Sequence, residues 1–161
     1  MDIENWMKHP VHCVKPLDSI KHAREIMEEH RINQLPVVVN ARLVGVVTDR
    51  DLRDAFPSVF EARRRSERTP DPSVITVETV MTSSVLTLGP KDTVVAAARL
   101  MRQERIGAIP IVDAGRLVGI LARSDVLDAF VALAEAAVSR GADLVIPQAH
   151  RPARTPRARG Q

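Results

Sequence analysis

The stretch Gly45-Val46-Val47-Thr48-Asp49-Arg50-Asp51-Leu52 gathers a hydroxyl, a guanidinium and two carboxylates where an apolar strand pattern gives way to a helical one. A helix N-terminus carries unpaired N–H groups and the positive end of the helix dipole, so an anion such as phosphate is favoured beside Thr48 and Arg50. Asp51 would repel a phosphate approaching from its own side. Turned toward a sugar, its two oxygens can accept hydrogen bonds from adjacent hydroxyls. The junction thus has groups for both ends of a nucleotide. The competing reading is local: Thr48 caps the helix and Asp51 occupies its first turn, as these residue types routinely do.

Other reactive side chains do not assemble into a catalytic pattern. There is no Ser-His-Asp order, no Gly-rich phosphate loop and no paired-carboxylate cleft, and Asp49 and Asp51 face apart at the junction, so no reaction is assigned. His9, His12, His22 and His30 lack the spacing or accompanying carboxylates of a metal site and read as solvated histidines. Cys13 lies in an apolar stretch and reads as a buried, inert thiol. Met27 and Met101 occupy matching helix positions and read as core or dimer packing.

The elements that must hold the junction come from an internal duplication. Two segments align without a gap at an offset of 74 positions: Pro16 falls on Pro90, Ala23 on Ala97, Met27 on Met101, Arg31-Ile32 on Arg105-Ile106, and Arg42-Leu43-Val44-Gly45 on Arg116-Leu117-Val118-Gly119. The match continues to Asp51 with Asp125 and to Asp54-Ala55-Phe56 with Asp128-Ala129-Phe130. The units run over about residues 4–56 and 78–130. Each predicts a short extended piece (Val11 to Val14; Val85 to Leu88), then a helix with an acidic N-cap at Asp18 or Asp92 and apolar residues at helical spacing. Next come two apolar strands around a tight turn at Asn40-Ala41 or Asp113-Ala114-Gly115, and a helix opening near Asp51 or Asp125. The second of these helices is expected to extend to about Arg140. The order is β-α-β-β-α, twice. A unit of this size cannot cover its own sheet, so an α/β (α+β) fold is expected in which the two repeats pack about a pseudo-twofold axis.

Between the repeats, residues 57–77 predict a linker with a short helix from Ser58 to about Arg68. Residues 147–161 hold four arginines and no acid, more than the whole net charge of +3, so the basicity belongs to a tail expected to be disordered. That tail offers sequence-independent phosphate affinity at most, having no aromatic residue for stacking on nucleic acid. A single cysteine excludes an internal disulfide, and no apolar run is long enough for a signal peptide or membrane span, which together predict a cytoplasmic chain. With aromatics at 2%, the core must be aliphatic.

The doubled β-α-β-β-α unit, with Gly45-x-x-Thr48-x-x-Asp51 at its end and Met7 or Met81 before its first strand, resembles the CBS-domain (cystathionine-beta-synthase-type, Bateman module) family. The similarity runs from about Met7 to Phe130. It implies a regulatory module with two clefts between the repeats, where AMP, ADP or ATP binds and alters a partner protein; some members take S-adenosylmethionine, NAD or another nucleotide. It also implies a homodimer formed through the helices, for which an exposed apolar face is expected on Asp18 to His30. A dimeric scaffold with degenerate clefts is the alternative.

Carried over residue by residue, the resemblance gives a first cleft of Thr48, Arg50 and Asp51 with Leu86, Ile106, Gly107 and Ala108, and Val46 as an apolar wall. In it Asp51 would hold ribose hydroxyls, Thr48 and Arg50 phosphates, and Ile106 with Leu86 the base. The second cleft would combine Arg123, Ser124 and Asp125 with His12, Ile32, Asn33 and Gln34. Ala122 stands there in place of a Ser or Thr, so this cleft is expected to bind more weakly or differently.

Overall fold

The computed structural model describes residues 1–56 and 71–140. The helix expected from Ser58 and the basic tail from residue 147 lie outside the described residues. Residues Met1–Ala129 form one compact unit, and a second begins at Phe130.

Each repeat is a helix, a β-hairpin and a second helix. In the first these are α1 (Ile20–His30), β1 (Gln34–Val39), β2 (Arg42–Thr48) and α2 (Asp49–Ala55). In the second they are α3 (Val94–Glu104), β3 (Ala108–Asp113), β4 (Arg116–Ala122) and α4 (Arg123–Ser139). Ile20, Ala23 and Met27 recur on one face of α1 and are buried, as are Val94, Ala97 and Met101 on α3. The helices are capped one residue later than expected. The hydroxyls of Ser19 and Thr93 accept from the His22 and Ala96 N–H groups, whereas Asp18 and Asp92 close the preceding turn by accepting from Lys15 and Gly89 N–H. A carboxylate and a hydroxyl stand side by side at each start, and only the hydroxyl occupies the cap position.

Both helices end on an arginine in the left-handed region, Arg31 at φ 53° and Arg105 at φ 57°, which turns the chain abruptly into its first strand. Each hairpin then reverses through two positive-φ residues, Asn40-Ala41 and Ala114-Gly115, the conformation that suits the twist of a two-residue connection.

The four strands form one sheet in the order β1-β2-β4-β3, a palindrome about the contact of the two hairpins. That contact is narrow: Arg42 faces Arg116, and the Leu117 N–H donates to the Ala41 carbonyl at 3.0 Å. The expected leading strands shrink to single bridges, Val14 to Val37 and Leu88 to Ile111. Each bridge is built around a proline carbonyl, with Val14 N–H donating to Pro36 and Leu88 N–H to Pro110. Proline has no N–H to return, which breaks the ladder there.

The segment leading into each repeat packs on the other one. Ile3 N–H donates to the Asp92 carbonyl, Lys8 exchanges backbone hydrogen bonds with Ile120, and Ile3 is buried with Val94, Ile109 and Leu121. Reciprocally, Val77 N–H donates to the Asp18 carbonyl, Thr82 exchanges with Val46, and Val77 is buried with Ile20, Leu35 and Leu52. Lys91 and Glu4 add an exposed ion pair at 2.6 Å, which raises the lysine above its ordinary range. The repeats are thus tied by two aliphatic cores, each completed by a segment from across the pseudo-twofold axis.

The large apolar side chains of α1 are buried or half-buried, so the exposed face expected from Asp18 to His30 is absent. Exposed apolar side chains lie instead at Val95 on α3 and Leu127 on α4. In the second unit, Phe130, Val131, Leu133 and Val138 on the last turns of α4 are exposed as well.

Candidate functional site

Thr48 closes β2 and caps α2, so its position is fixed by two elements. Its hydroxyl accepts from the Asp51 N–H at 3.3 Å, while the Asp51 carboxylate accepts through Oδ2 from both the Thr48 N–H (2.8 Å) and the Thr48 hydroxyl (2.7 Å). This is a reciprocal capping box. The local reading of Thr48 and Asp51 therefore holds in this state, yet it leaves the second carboxylate oxygen, Oδ1, without a hydrogen bond among the described residues. The first N–H of α2, at Asp49, is bonded to the Asn33 carbonyl at 2.8 Å, so that donor is not free for an anion.

Beside this junction lies a cavity of about 300 Å³. Of the residues expected in the first cleft, Val46, Thr48, Leu86, Ile106, Gly107 and Ala108 line it. Asp51, also expected there, is not among the lining residues; its carboxylate is hydrogen-bonded to Thr48, which is. Arg50 does not reach the wall: its side chain is 85% exposed and lies 3.8 Å from Asp54, because two residues past the cap the helix turns it outward. Thr82, Ser84, Val85 and Arg105, not anticipated there from the sequence, and Gln34, expected in the second cleft, complete the wall.

The second junction has the same backbone and different chemistry. With Ala122 at the cap, the hydroxyl half of the capping box is gone, and the Ala122 N–H still donates to Asp125 Oδ2 at 2.7 Å. Asp125 is only 3% exposed, and its other oxygen lies 3.2 Å from the Lys8 ammonium and 3.5 Å from the Ser124 hydroxyl. The adjoining cavity is larger, about 510 Å³. His12, Ile32, Asn33, Gln34, Ser124 and Asp125 line it as expected. Arg123 does not, since its guanidinium donates to the Ile106 carbonyl at 3.0 Å. Lys8, His30 and Arg31 were missed. His12 and His30 stack face to face with ring centroids 3.6 Å apart. Gln34 lies on both cavities, and its side-chain nitrogen is buried without a partner. The offset of 74 pairs Lys8 with Thr82, so this difference between the clefts was present in the alignment; what hid it was that each lead-in segment serves the opposite repeat.

Among the described residues no group of three or more His, Cys, Asp or Glu side chains is placed to hold a metal ion, and no helix is long and apolar enough to cross a membrane.

Two helix-hairpin-helix repeats around a palindromic sheet, with a cleft at each strand-to-helix junction, define a tandem repeat pair. The chain belongs to the CBS-domain family, whose model matches residues 2–58 and 77–132. It is 36% identical over 115 residues to a CBS domain-containing protein of Dictyostelium discoideum, covering 70% of this chain and 79% of that one. It is also 35% identical over 124 residues to an inosine-5'-monophosphate dehydrogenase of Korarchaeum cryptofilum, covering 76% of this chain but only 23% of the enzyme, within its CBS part. Among solved structures, the complex of CBSX2 with AMP superimposes with a TM-score of 0.68 at 30% identity, covering 83% of this chain and 98% of that one.

Proposed function

We propose that this chain is a regulatory module that binds an adenine nucleotide in the clefts between its repeats and thereby modulates a partner protein. The observation that carries the reading is the pairing of a cavity with a cap-and-carboxylate junction, made twice by one duplicated sequence. In the first cleft Asp51 is one hydrogen bond behind the cavity-lining Thr48, and its Oδ1, without a hydrogen bond among the described residues, takes ribose hydroxyls when the carboxylate turns toward the ligand; Leu86 and Ile106 supply apolar surface for a base. Arg105 takes the phosphate role that Arg50 was expected to fill, because it lines the cavity and Arg50 does not. That CBSX2 binds AMP supports the same ligand class here. Occupancy changes the relative packing of the repeats, and so partner affinity, only to the extent that ligand binds one arrangement better than the other.

A thermal-shift panel of AMP, ADP, ATP, NAD and S-adenosylmethionine tests the reading. Ligand at about 100 times its dissociation constant stabilises by about 2.7 kcal/mol, a rise of roughly 5–10 °C for a chain of this size. No response to any adenine nucleotide would overturn it. The second reading, a constitutive dimeric scaffold, is favoured by the exposed Val95 and Leu127. It requires a mass twice the 17.7 kDa of one chain in solution, with no change on adding nucleotide.

A further inference from the structure

We infer that the Lys8–Asp125 ion pair gates the second cleft, so that this cleft takes only a ligand carrying both an anionic phosphate and a vicinal diol. The inference rests on the nucleotide-binding reading above and narrows it for one of the two sites.

The two halves of the pair differ in freedom. Asp125 is 3% exposed and held by the Ala122 N–H, whereas the Lys8 side chain is 68% exposed and reaches the carboxylate from the N-terminal segment. A buried carboxylate that loses its cation is strongly disfavoured. A diol without a phosphate must therefore displace Lys8 from Asp125 and offers the ammonium nothing in exchange. A phosphate without a diol draws Lys8 away and leaves the buried carboxylate uncompensated next to a second negative charge. A nucleotide satisfies both groups at once: its phosphate takes the ammonium and its ribose hydroxyls donate to the carboxylate. Arg31, His12 and His30 line the same cavity and favour the phosphate.

No such gate exists in the first cleft. Thr82 stands at the position equivalent to Lys8, and the Thr48 hydroxyl occupies Asp51 Oδ2 while Oδ1 is left open. From the sequence the second cleft was expected to bind more weakly or differently for want of a hydroxyl at Ala122. With Lys8 in place it is instead the more selective of the two.

The test is calorimetric titration of the full chain with AMP, adenosine, 2'-deoxy-AMP and inorganic phosphate. Fluorescence of Trp6, the only tryptophan and two residues before Lys8, assigns events to the second cleft. The second cleft is expected to prefer AMP to adenosine and to 2'-deoxy-AMP by on the order of 100-fold. Lys8→Thr should shrink the AMP-to-adenosine ratio at least about tenfold, by weakening AMP and strengthening adenosine, and leave the preference over 2'-deoxy-AMP in place, while Lys8→Arg keeps both. Adenosine saturating the second cleft as well as AMP does, Lys8→Thr leaving the AMP-to-adenosine ratio unchanged, or AMP binding in the first cleft alone would each overturn the gate and leave the nucleotide module standing. AMP binding in neither cleft would overturn the gate, and the nucleotide module with it if ADP and ATP also fail to bind.

Discussion

Thr48 and Asp51 use each other in the ligand-free state, and that dual role sets what their removal should do. Thr48→Ala deletes the hydroxyl that accepts from the Asp51 N–H, and is expected to cost about 1 kcal/mol in urea unfolding. The same change at the other repeat already exists as Ala122, where the carboxylate keeps its backbone bond and takes Lys8 in place of the hydroxyl. Cys13, half-buried where the sequence suggested a buried thiol, offers an independent check on the segment that leads into the first repeat. Burial raises its thiol above the ordinary value of 9.0, so less thiolate is present at pH 8, and the thiol is also bonded to the Val11 carbonyl. Alkylation at pH 8 is therefore expected to run several-fold slower than for an unfolded cysteine peptide, and to recover in denaturant; equal rates in the native protein would show the site to be open. At this scale the sequence was readable where chemistry is local. Thr48, Asp51 and their counterparts stand where the strand pattern stops. Lys8, Thr82 and Arg105 were not readable, because their partners are distant in the chain.

The hairpins and their turns carry the geometry of both clefts, and two substitutions probe them. Ala41 sits at φ 64° in the β1–β2 turn, where a Cβ is strained and glycine is not. Ala41→Gly is expected to stabilise by up to about 1 kcal/mol, read from the denaturation midpoint, since its carbonyl bond to Leu117 is unaffected. Gly45 in β2 has no room for a side chain: a Cβ there would lie 3.1 Å from the Thr82 carbonyl oxygen as well as against the Met81 side chain. Gly119 in β4 meets only the side chain of Met7. Gly45→Ala should cost about 1–3 kcal/mol and Gly119→Ala less, because a methionine side chain can move and a paired backbone cannot. Helices and hairpins were legible because helical spacing and continuous apolar runs are strong signals. The leading strands were not, since the prolines that limit them to a single bridge, Pro36 and Pro110, lie in the partner strands β1 and β3, distant in the chain.

For the molecule as a whole, the constant offset of 74 announced duplication but not exchange. A gapless repeat says that two segments adopt the same structure; it does not say which copy of the lead-in each repeat uses. The structure puts Ile3 in the second core and Val77 in the first, so neither repeat is complete without a segment from before the other. That exchange couples the clefts to the packing of the repeats: Lys8 reaches the second cleft on the segment that holds Ile3, and Thr82 the first on the segment that holds Val77. A ligand that moves Lys8 thereby acts on the same strand of chain that ties the repeats together. The measurement that bears most directly on the account is calorimetric titration of AMP into the native chain and into Asp51→Ala. Saturable binding to the native protein, with the first-cleft event lost or weakened at least about tenfold in the variant, is the expected result. Binding that is unchanged by Asp51→Ala would remove the first cleft from the account, and no binding of AMP, ADP or ATP to the native chain would contradict it outright.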